Sequence, residues 1–240
     1  MKTVLITGAN GAIGSATAEL FLQNDYFVVG GYNAHDDKIK ILEEKYKDRF
    51  FGVKADLNCE KDISALYGFC EKNFGHIDAF ISNAGKDLYK LLTDTSVKEW
   101  DEIFNVNVRA GFLLAKNCLT EMIKRKRGKI VFVSSVWGIA GASMETVYSA
   151  SKAALIGLSR ALSKEVAPSG VNVNCVCAGV IKSDINARFS ESEMSEIIAK
   201  TPVGRVGTPK EVAELIYYLC SDKADFITGR EFCIDGGFGF

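Results

Sequence analysis

The sequence repeats one unit: a short run that is apolar at nearly every position, followed by a longer amphipathic stretch. Lys2 to Thr7, Tyr26 to Tyr32, Phe50 to Ala55, Ile77 to Ser82, Lys129 to Ser134, Val171 to Cys177 and Glu231 to Ile234 read as strands. Most lack the polar and apolar alternation of a sheet with one wet face, so cover is expected on both faces. Residues 12–24, 36–47, 60–73, 96–125, 146–167 and 209–220 carry helical periodicity between them. Strands of this kind separated by helices predict the α/β class, as one doubly wound, right-handed parallel sheet of about seven strands. With three prolines and no Ser/Gly-rich linker in 240 residues, a single domain over 1–240 is the expected organisation.

Composition narrows the function classes. The 29 basic and 30 acidic side chains nearly cancel, so no whole-protein field favours nucleic acid or a membrane surface. No apolar run has the length of a membrane span, and MKTVLITGAN enters a strand without signal-peptide patterning, so the cytoplasm is the expected compartment. Seven scattered cysteines read as reduced thiols, with Cys175 and Cys177 on one face of a strand. His35 and His76 are too far apart for ligand spacing, and no metal site is expected.

In parallel sheets ligands bind beyond the carboxyl ends of the strands, near the switch point in strand order. After the first strand comes Thr7-Gly8-Ala9-Asn10-Gly11-Ala12-Ile13-Gly14, opening a helix. Gly8 permits a tight turn, Gly14 lets helix and strand approach, and the free amides of the helix start can face a pyrophosphate. Between strand and helix, this turn points to a dinucleotide and makes the expected sheet Rossmann-type; an ordinary tight turn is the competing reading. The second strand ends Gly30-Gly31-Tyr32-Asn33-Ala34-His35, with no carboxylate at the expected position, Gly31. An acid there would bind the ribose 2′-hydroxyl of NAD and repel a 2′-phosphate, so NADPH is favoured over NADH. Asp36 and Asp37 read as the cap and dipole partners of the next helix.

Tyr148-Ser-Ala-Ser-Lys152 sets a phenol and an ammonium at i and i+4, on one face of the 146–167 helix. A free tyrosine has a pKa of about 10, so a neighbouring cation is needed to make it an acid–base group near neutrality. That spacing arises readily by chance, but Ser135 stands at the end of a strand 13 residues earlier.

Together with Asn107 in Phe-Asn-Val-Asn and the turn Asn83-Ala84-Gly85, these residues resemble the short-chain dehydrogenase/reductase family. The likeness extends through Pro202-Val-Gly-Arg-Val-Gly and Ile227-Thr-Gly to Asp235-Gly-Gly, so it spans the chain. It implies a carbonyl reductase with Asn107, Ser135, Tyr148 and Lys152 as catalytic residues. Asn107 would kink its helix and hold a proton-relaying water. The cofactor set it implies comprises Gly8, Asn10, Gly11, Ile13 and Gly14 at the first turn. Asp56 and Leu57 follow at the adenine, although Asp56 reads equally as a helix cap. Asn83, Ala84, Gly85 and Val106 lie near the ribose, joined by Tyr148 and Lys152. Val180 and Ser183 orient the carboxamide. Two positions depart from the family pattern: Ala12 replaces a glycine, and Ala178 replaces a proline whose loss is expected to loosen the following loop.

Within the family the resemblance is closest to 3-oxoacyl-[acyl-carrier-protein] reductases, and Lys124-Arg125-Lys126-Arg127 could meet an acidic carrier protein. A solvated helix end is the alternative. The segment Trp137 to Glu145 is more similar to reductases that finish an aminopentanone modification on elongation factor P, with Trp137 and Glu145 as candidate substrate contacts. A generic alcohol or ketone oxidoreductase and a non-catalytic cofactor-binding scaffold or sensor complete the alternatives. The stretch Asp184 to Lys200 is expected to cover the substrate without a readable pattern. A homotetramer is expected from the family, through Trp100, Phe112, Leu113, Leu155, Leu158 and Phe232, with Phe238-Gly-Phe240 hard to place in a core.

Overall fold

Because the inner strands are apolar at most positions, they bury both faces. All five residues of β1 (Thr3–Thr7) and all eight of β5 (Gly128–Ser135) are buried in the computed structural model, which describes residues 1–183, 186 and 189–239. With β2 (Phe27–Tyr32), β3 (Phe50–Lys54), β4 (Ala79–Ser82), β6 (Val171–Ala178) and β7 (Glu231–Ile234) they form one seven-stranded sheet. The order is β3-β2-β1-β4-β5-β6-β7, with every pairing parallel. The chain therefore winds outward from β1 to β3, then crosses to the other side of β1. The switch point lies between the carboxyl ends of β1 and β4, at Thr7 and Ser82.

Each face of the sheet has its own apolar cluster. Val4 and Ile6 of β1 pack with Phe21 and Leu22 of α1 (Ala12–Gln23) and with Val212 and Ile216 of α9 (Pro209–Cys220). On the other face Leu5 and Phe80 meet Leu66 of α3 (Glu60–Phe74), Leu114 of α5 (Ala110–Arg125) and Leu155 of α7 (Thr146–Val166). Leu155 is therefore a core residue rather than a contact surface, and Leu113, Leu158 and Phe232 are partly buried against the clusters. Trp100 and Phe112 are exposed. Phe240 lies outside the described residues.

Three elements differ from the sequence expectation. The stretch 96–125 is not one helix: α4 (Val97–Phe104), started by a capping box between Ser96 and Glu99, runs into a widened π-turn over Asn105–Arg109 before α5 begins. Within 184–200, which carried no readable pattern, α8 (Glu191–Lys200) is started by a second capping box, between Ser190 and Glu193. Asp184, Ile185, Ala187 and Arg188 lie outside the described residues. One short helix, α6 (Trp137–Ala140), had no signal of its own.

The acids after β2 also behave differently from one another. α2 (Asp37–Lys45) carries Asp37 in its first turn, where its charge suits the helix dipole. Asp36 occupies the cap position but makes no capping hydrogen bond, pairing instead with Lys40 at 3.0 Å. All seven cysteines are free thiols, and Cys175 and Cys177 are buried together. No described helix is long and apolar enough to cross a membrane, and no described group of His, Cys, Asp or Glu could hold a metal ion.

Candidate active site

The switch point is closed by a side-chain clamp. The Thr7 hydroxyl oxygen accepts hydrogen bonds from the backbone amides of Asn83 and Ala84, both at 3.0 Å. The Asn83 side-chain Nδ2 returns the contact, donating to the carbonyls of Thr7 at 2.9 Å and Gly8 at 3.2 Å. Gly8 sits at φ +67, where a side chain is disfavoured. A Cβ on Gly14 would stand 2.1 Å from the Gly8 carbonyl oxygen, so helix and turn are as close as backbone allows. The α1 cap position is Gly11, with no side-chain capping bond, which leaves the first-turn amides for an anion. These features fit a dinucleotide pyrophosphate.

A cavity of about 750 Å³ runs from this turn to α7. Along its wall lie Gly8, Asn10, Gly11, Ile13, Asp56 and Leu57, then Asn83, Ala84, Gly85 and Val106. Ser135, Trp137, Glu145, Tyr148, Lys152, Val180 and Ser183 complete the expected set. Gly14 and Asn107 stand behind the wall rather than on it. Asn10 is engaged at the start of α2, accepting from the Lys38 amide at 2.9 Å and donating to Asp37 at 3.3 Å. Asp56 does not cap α3, whose cap position is Cys59. It instead closes a turn on Asn58, accepting from the Asn58 amide and side chain at 3.0 and 3.1 Å, and these bonds hold its carboxyl below the usual carboxylate range.

At the end of β2, Gly31, Tyr32, Asn33, Ala34 and His35 line the cavity without a carboxylate among them. The position expected for an acid needs revision. A Cβ at Gly31 would point at the Leu66 side chain, 2.9 Å from its Cδ2, so that position faces α3 and the core. Asn33, two residues on and exposed, is free of that constraint.

At the other end, Ser135 closes β5 and its Oγ accepts from the Trp137 amide at 3.2 Å, leaving the hydroxyl hydrogen for a substrate oxygen. Tyr148 lies in the first turn of α7, and the Lys152 Nζ one turn later stands 5.5 Å from the centre of its ring. That Nζ donates to the Val133 carbonyl at 2.9 Å, and burial pushes its pKa down to about 8. Asn107, 1% exposed, sits in the π-turn. Its Oδ1 accepts from the Lys86 amide at 2.8 Å, and its Nδ2 donates to the Lys86 carbonyl and the Ser151 hydroxyl, each at 2.9 Å. The Asn107 side chain thus clamps the turn after Gly85.

The first residues of the loop after β6 are tied to their neighbours although residue 178 is not proline. Ala178 ends the strand with its carbonyl accepting from Val136 at 3.0 Å, and Ile181 forms a parallel bridge to Gly207. Phe238 is part of the wall, edge-on to Trp137 with ring centres 5.6 Å apart. Phe189 and Ile197, from the stretch expected to cover the substrate, also line the cavity, as do Ala142 and Ser143 of the Trp137 to Glu145 segment, whereas Asp87 and Tyr89 line it without a sequence signal. Glu145 is buried at 5% exposure rather than a surface residue. The basic run is at the opposite end of the sheet. Lys124 to Arg127 precede Gly128, the first residue of β5, whereas Ser135 is its last. Along the strand that is about 23 Å. Arg125 pairs with Asp78 at 2.7 Å, Arg127 with Asp222 at 2.8 Å and Lys124 with Glu121 at 2.6 Å.

A parallel sheet with a glycine turn at its switch point, and a buried lysine beside a tyrosine at the far end of the same cavity, defines a nucleotide-dependent oxidoreductase. Comparison with known proteins places it more closely. The family profile described as enoyl-(acyl carrier protein) reductase matches residues 8–239. The 3-oxoacyl-[acyl-carrier-protein] reductase FabG of Buchnera aphidicola subsp. Baizongia pistaciae is 34% identical over 236 residues, covering 98% of this chain and 96% of that protein. FabG of Aquifex aeolicus is 36% identical over 239 residues, with 98% and 96% covered. The uncharacterized oxidoreductase YmfI of Bacillus subtilis is 36% identical over 239 residues, with 98% of both covered. The chain belongs to the short-chain dehydrogenase/reductase family, and it is a nicotinamide-dependent oxidoreductase acting on the CH–OH/C=O pair.

Proposed function

We propose that residues 1–240 act as one cofactor-binding and catalytic unit, in the cytoplasm, that reduces a 3-oxoacyl thioester with NADPH. The observation that carries this reading is the convergence of Ser135, Tyr148 and Lys152 on one wall of a cavity whose other end is the Gly8 turn. Gly8, Asn10, Gly11, Ile13 and Gly14 form the pyrophosphate end. Asp56 and Leu57 flank the adenine, and Asn83, Ala84, Gly85 and Val106 lie under the ribose. Val180 and Ser183 take the carboxamide. When bound, the reduced nicotinamide supplies hydride to the carbonyl carbon. Ser135 holds the carbonyl oxygen through its free hydroxyl hydrogen, and Tyr148 donates the proton to that oxygen. The Lys152 cation favours the phenolate that results, and it grips the nicotinamide ribose. Asn107 acts from behind the wall, where it fixes the turn of Gly85 and Lys86.

NADPH is favoured by the carboxylate-free lining at residues 31–35. The 3-oxoacyl thioester and a carrier-protein partner are favoured by the two FabG relatives. A homotetramer is supported by the exposed Trp100, stacked on Phe104 at 4.3 Å, and by the exposed Phe112 on α5. The test is NADPH oxidation with acetoacetyl thioester. Tyr148→Phe is expected to lower turnover by at least about 100-fold while NADPH binding persists. Retained turnover in that variant removes Tyr148 from its role.

A second reading is favoured by one observation: Glu145 is buried on the cavity wall, three residues before Tyr148. A carboxylate there suits a ketone that carries an ammonium group, such as the aminopentanone on elongation factor P.

A further inference from the structure

We propose that Ser151 is a positioning residue for the reaction, anchoring Asn107 and through it the turn that faces Lys152. Ser151 lies between Tyr148 and Lys152 on α7 and is fully buried. Its hydroxyl donates to the Tyr148 carbonyl three residues back, at 2.7 Å. By itself that bond is ordinary for a helical serine. Ser15 and Ser163 make the same bond, to Ala12 at 3.2 Å and Arg160 at 2.9 Å. At Ser151 it has a consequence, because a hydroxyl has one hydrogen. With that hydrogen committed to Tyr148, the oxygen can only accept from its remaining neighbour, Asn107, 44 residues away in sequence.

An asparagine amide can sit in either of two orientations, and its neighbours decide which. An obligatory acceptor at Ser151 places the NH2 of Asn107 toward α7 and the Oδ1 toward the Lys86 amide. The same NH2 reaches the Lys86 carbonyl. Residue 86 is thus held at both its backbone groups by one side chain, which Ser151 anchors to α7. The held turn borders the reacting end. A Cβ built on Gly85 would stand 3.2 Å from the Lys152 Nζ and 3.5 Å from the Asn107 Oδ1. The back-bond also ties the Asn107 turn to the helical turn that carries Tyr148. Ser151 therefore couples the two walls between which Lys152 approaches the phenol, without touching substrate or cofactor.

The inference rests on Tyr148 and Lys152 acting as the catalytic pair, so the experiment includes Tyr148→Phe. In Ser151→Ala the buried Asn107 amide loses its acceptor, and the Lys152 cation is held less firmly near Tyr148. The tyrosine then titrates higher, because less positive charge favours its phenolate. For acetoacetyl thioester reduction with NADPH, kcat of Ser151→Ala should fall about tenfold with KM for NADPH little changed. The alkaline limb of its pH profile should move upward by about half a unit. Asn107→Ala should behave alike, and the double variant should be no worse than the poorer single one, because both remove one coupling. Wild-type kcat and pH limb in Ser151→Ala, with Tyr148→Phe inactive, would overturn the role of Ser151 alone. Turnover surviving in Tyr148→Phe would overturn the catalytic pair itself. Lower kcat in Ser151→Ala with an unmoved pH limb and full additivity with Asn107→Ala would reduce Ser151 to packing.

Discussion

The Nζ of Lys152 lies 5.5 Å from the centre of the Tyr148 ring and donates a buried hydrogen bond to the Val133 carbonyl at 2.9 Å. Burial dominates the behaviour of its charge, with its pKa pushed down to about 8. The arrangement makes the lysine easy to deprotonate and gives its remaining charge to the tyrosine, at the expense of folding free energy.

That expense is measurable, and its sign follows from linkage. The folded-state pKa of about 8 is below the ordinary lysine value of 10.5. Between those values the unfolded chain binds more protons than the folded one, so this group makes stability rise with pH. Its penalty is fully present below the folded value and is gone above the unfolded one. Lys152→Met, which keeps the length without the charge, should therefore abolish turnover yet stabilise the cofactor-free protein by on the order of 1–3 kcal/mol at pH 7. The difference between variant and wild type in urea unfolding should shrink from pH 8 towards 10.5. A variant less stable than wild type at pH 7 would show that the Val133 bond outweighs the buried charge.

The end of β2 supplies a test of cofactor preference. Gly31→Asp would drive a Cβ to within 2.9 Å of the Leu66 Cδ2 in the core, so it should lower Tm for either cofactor rather than exchange them. Asn33→Asp places a carboxylate on the exposed cavity wall instead. It should weaken NADPH binding, by about 1–3 kcal/mol, and leave NADH binding unchanged or tighter. Fluorescence titration of both nucleotides against both variants decides it, and an Asn33→Asp protein that still prefers NADPH would place the 2′-phosphate elsewhere.

Gly30 and Gly31 of β2 show why the sequence was legible to one residue and no further. Strand β2 is readable because Val28 to Gly31 are all buried, but which face each residue takes depends on strand register, and a glycine carries no apolar signal to set it. The break at 105–109 was hidden for a related reason. Asn-Val-Asn-Val-Arg keeps the helical pattern of apolar residues, and the extra residue of the π-turn shows only in where Asn107 lands, against Lys86 and Ser151. The proposed catalytic positions were legible only through the family resemblance, because Tyr148 and Lys152 one turn apart on a helix and Ser135 at a strand end make a spacing that arises readily by chance. Phe238 joins the cavity through the fold of the last strand onto Trp137, a contact between segments about a hundred residues apart, which no local pattern encodes. Helix α8 was marked by Ser190 and Glu193, a capping box legible in the sequence but masked by the irregular stretch before it.

The remaining question is the charge of the substrate, and two sites at opposite ends of β5 answer it independently. If the ketone carries an ammonium, Glu145 in the cavity wall should matter, and Glu145→Gln should raise KM for an amino-ketone roughly tenfold while leaving a neutral 3-oxoacyl thioester nearly unaffected. If the substrate is delivered by an acidic carrier, the basic run should matter instead. Arg125 and Arg127 are poor choices there, because each holds an acid of the fold, and removing Arg125 would strand the largely buried Asp78. Lys124 and Lys126 can be changed with less disturbance. Lys126 sits at φ 52 at the end of α5, a conformation that asparagine tolerates. Lys124→Gln with Lys126→Asn should slow association with a carrier-linked substrate, the more so at low salt, and leave small thioesters untouched. A carrier bound there is about 23 Å of strand away from Ser135, so its tethered substrate must cross that length or enter a neighbouring copy. The carrier-linked 3-oxoacyl thioester is the expected winner, in keeping with the two FabG relatives. A response at Glu145 alone would transfer the assignment to the amino-ketone, and a response at neither site would remove both substrates while leaving Tyr148 and Lys152 to reduce some other carbonyl.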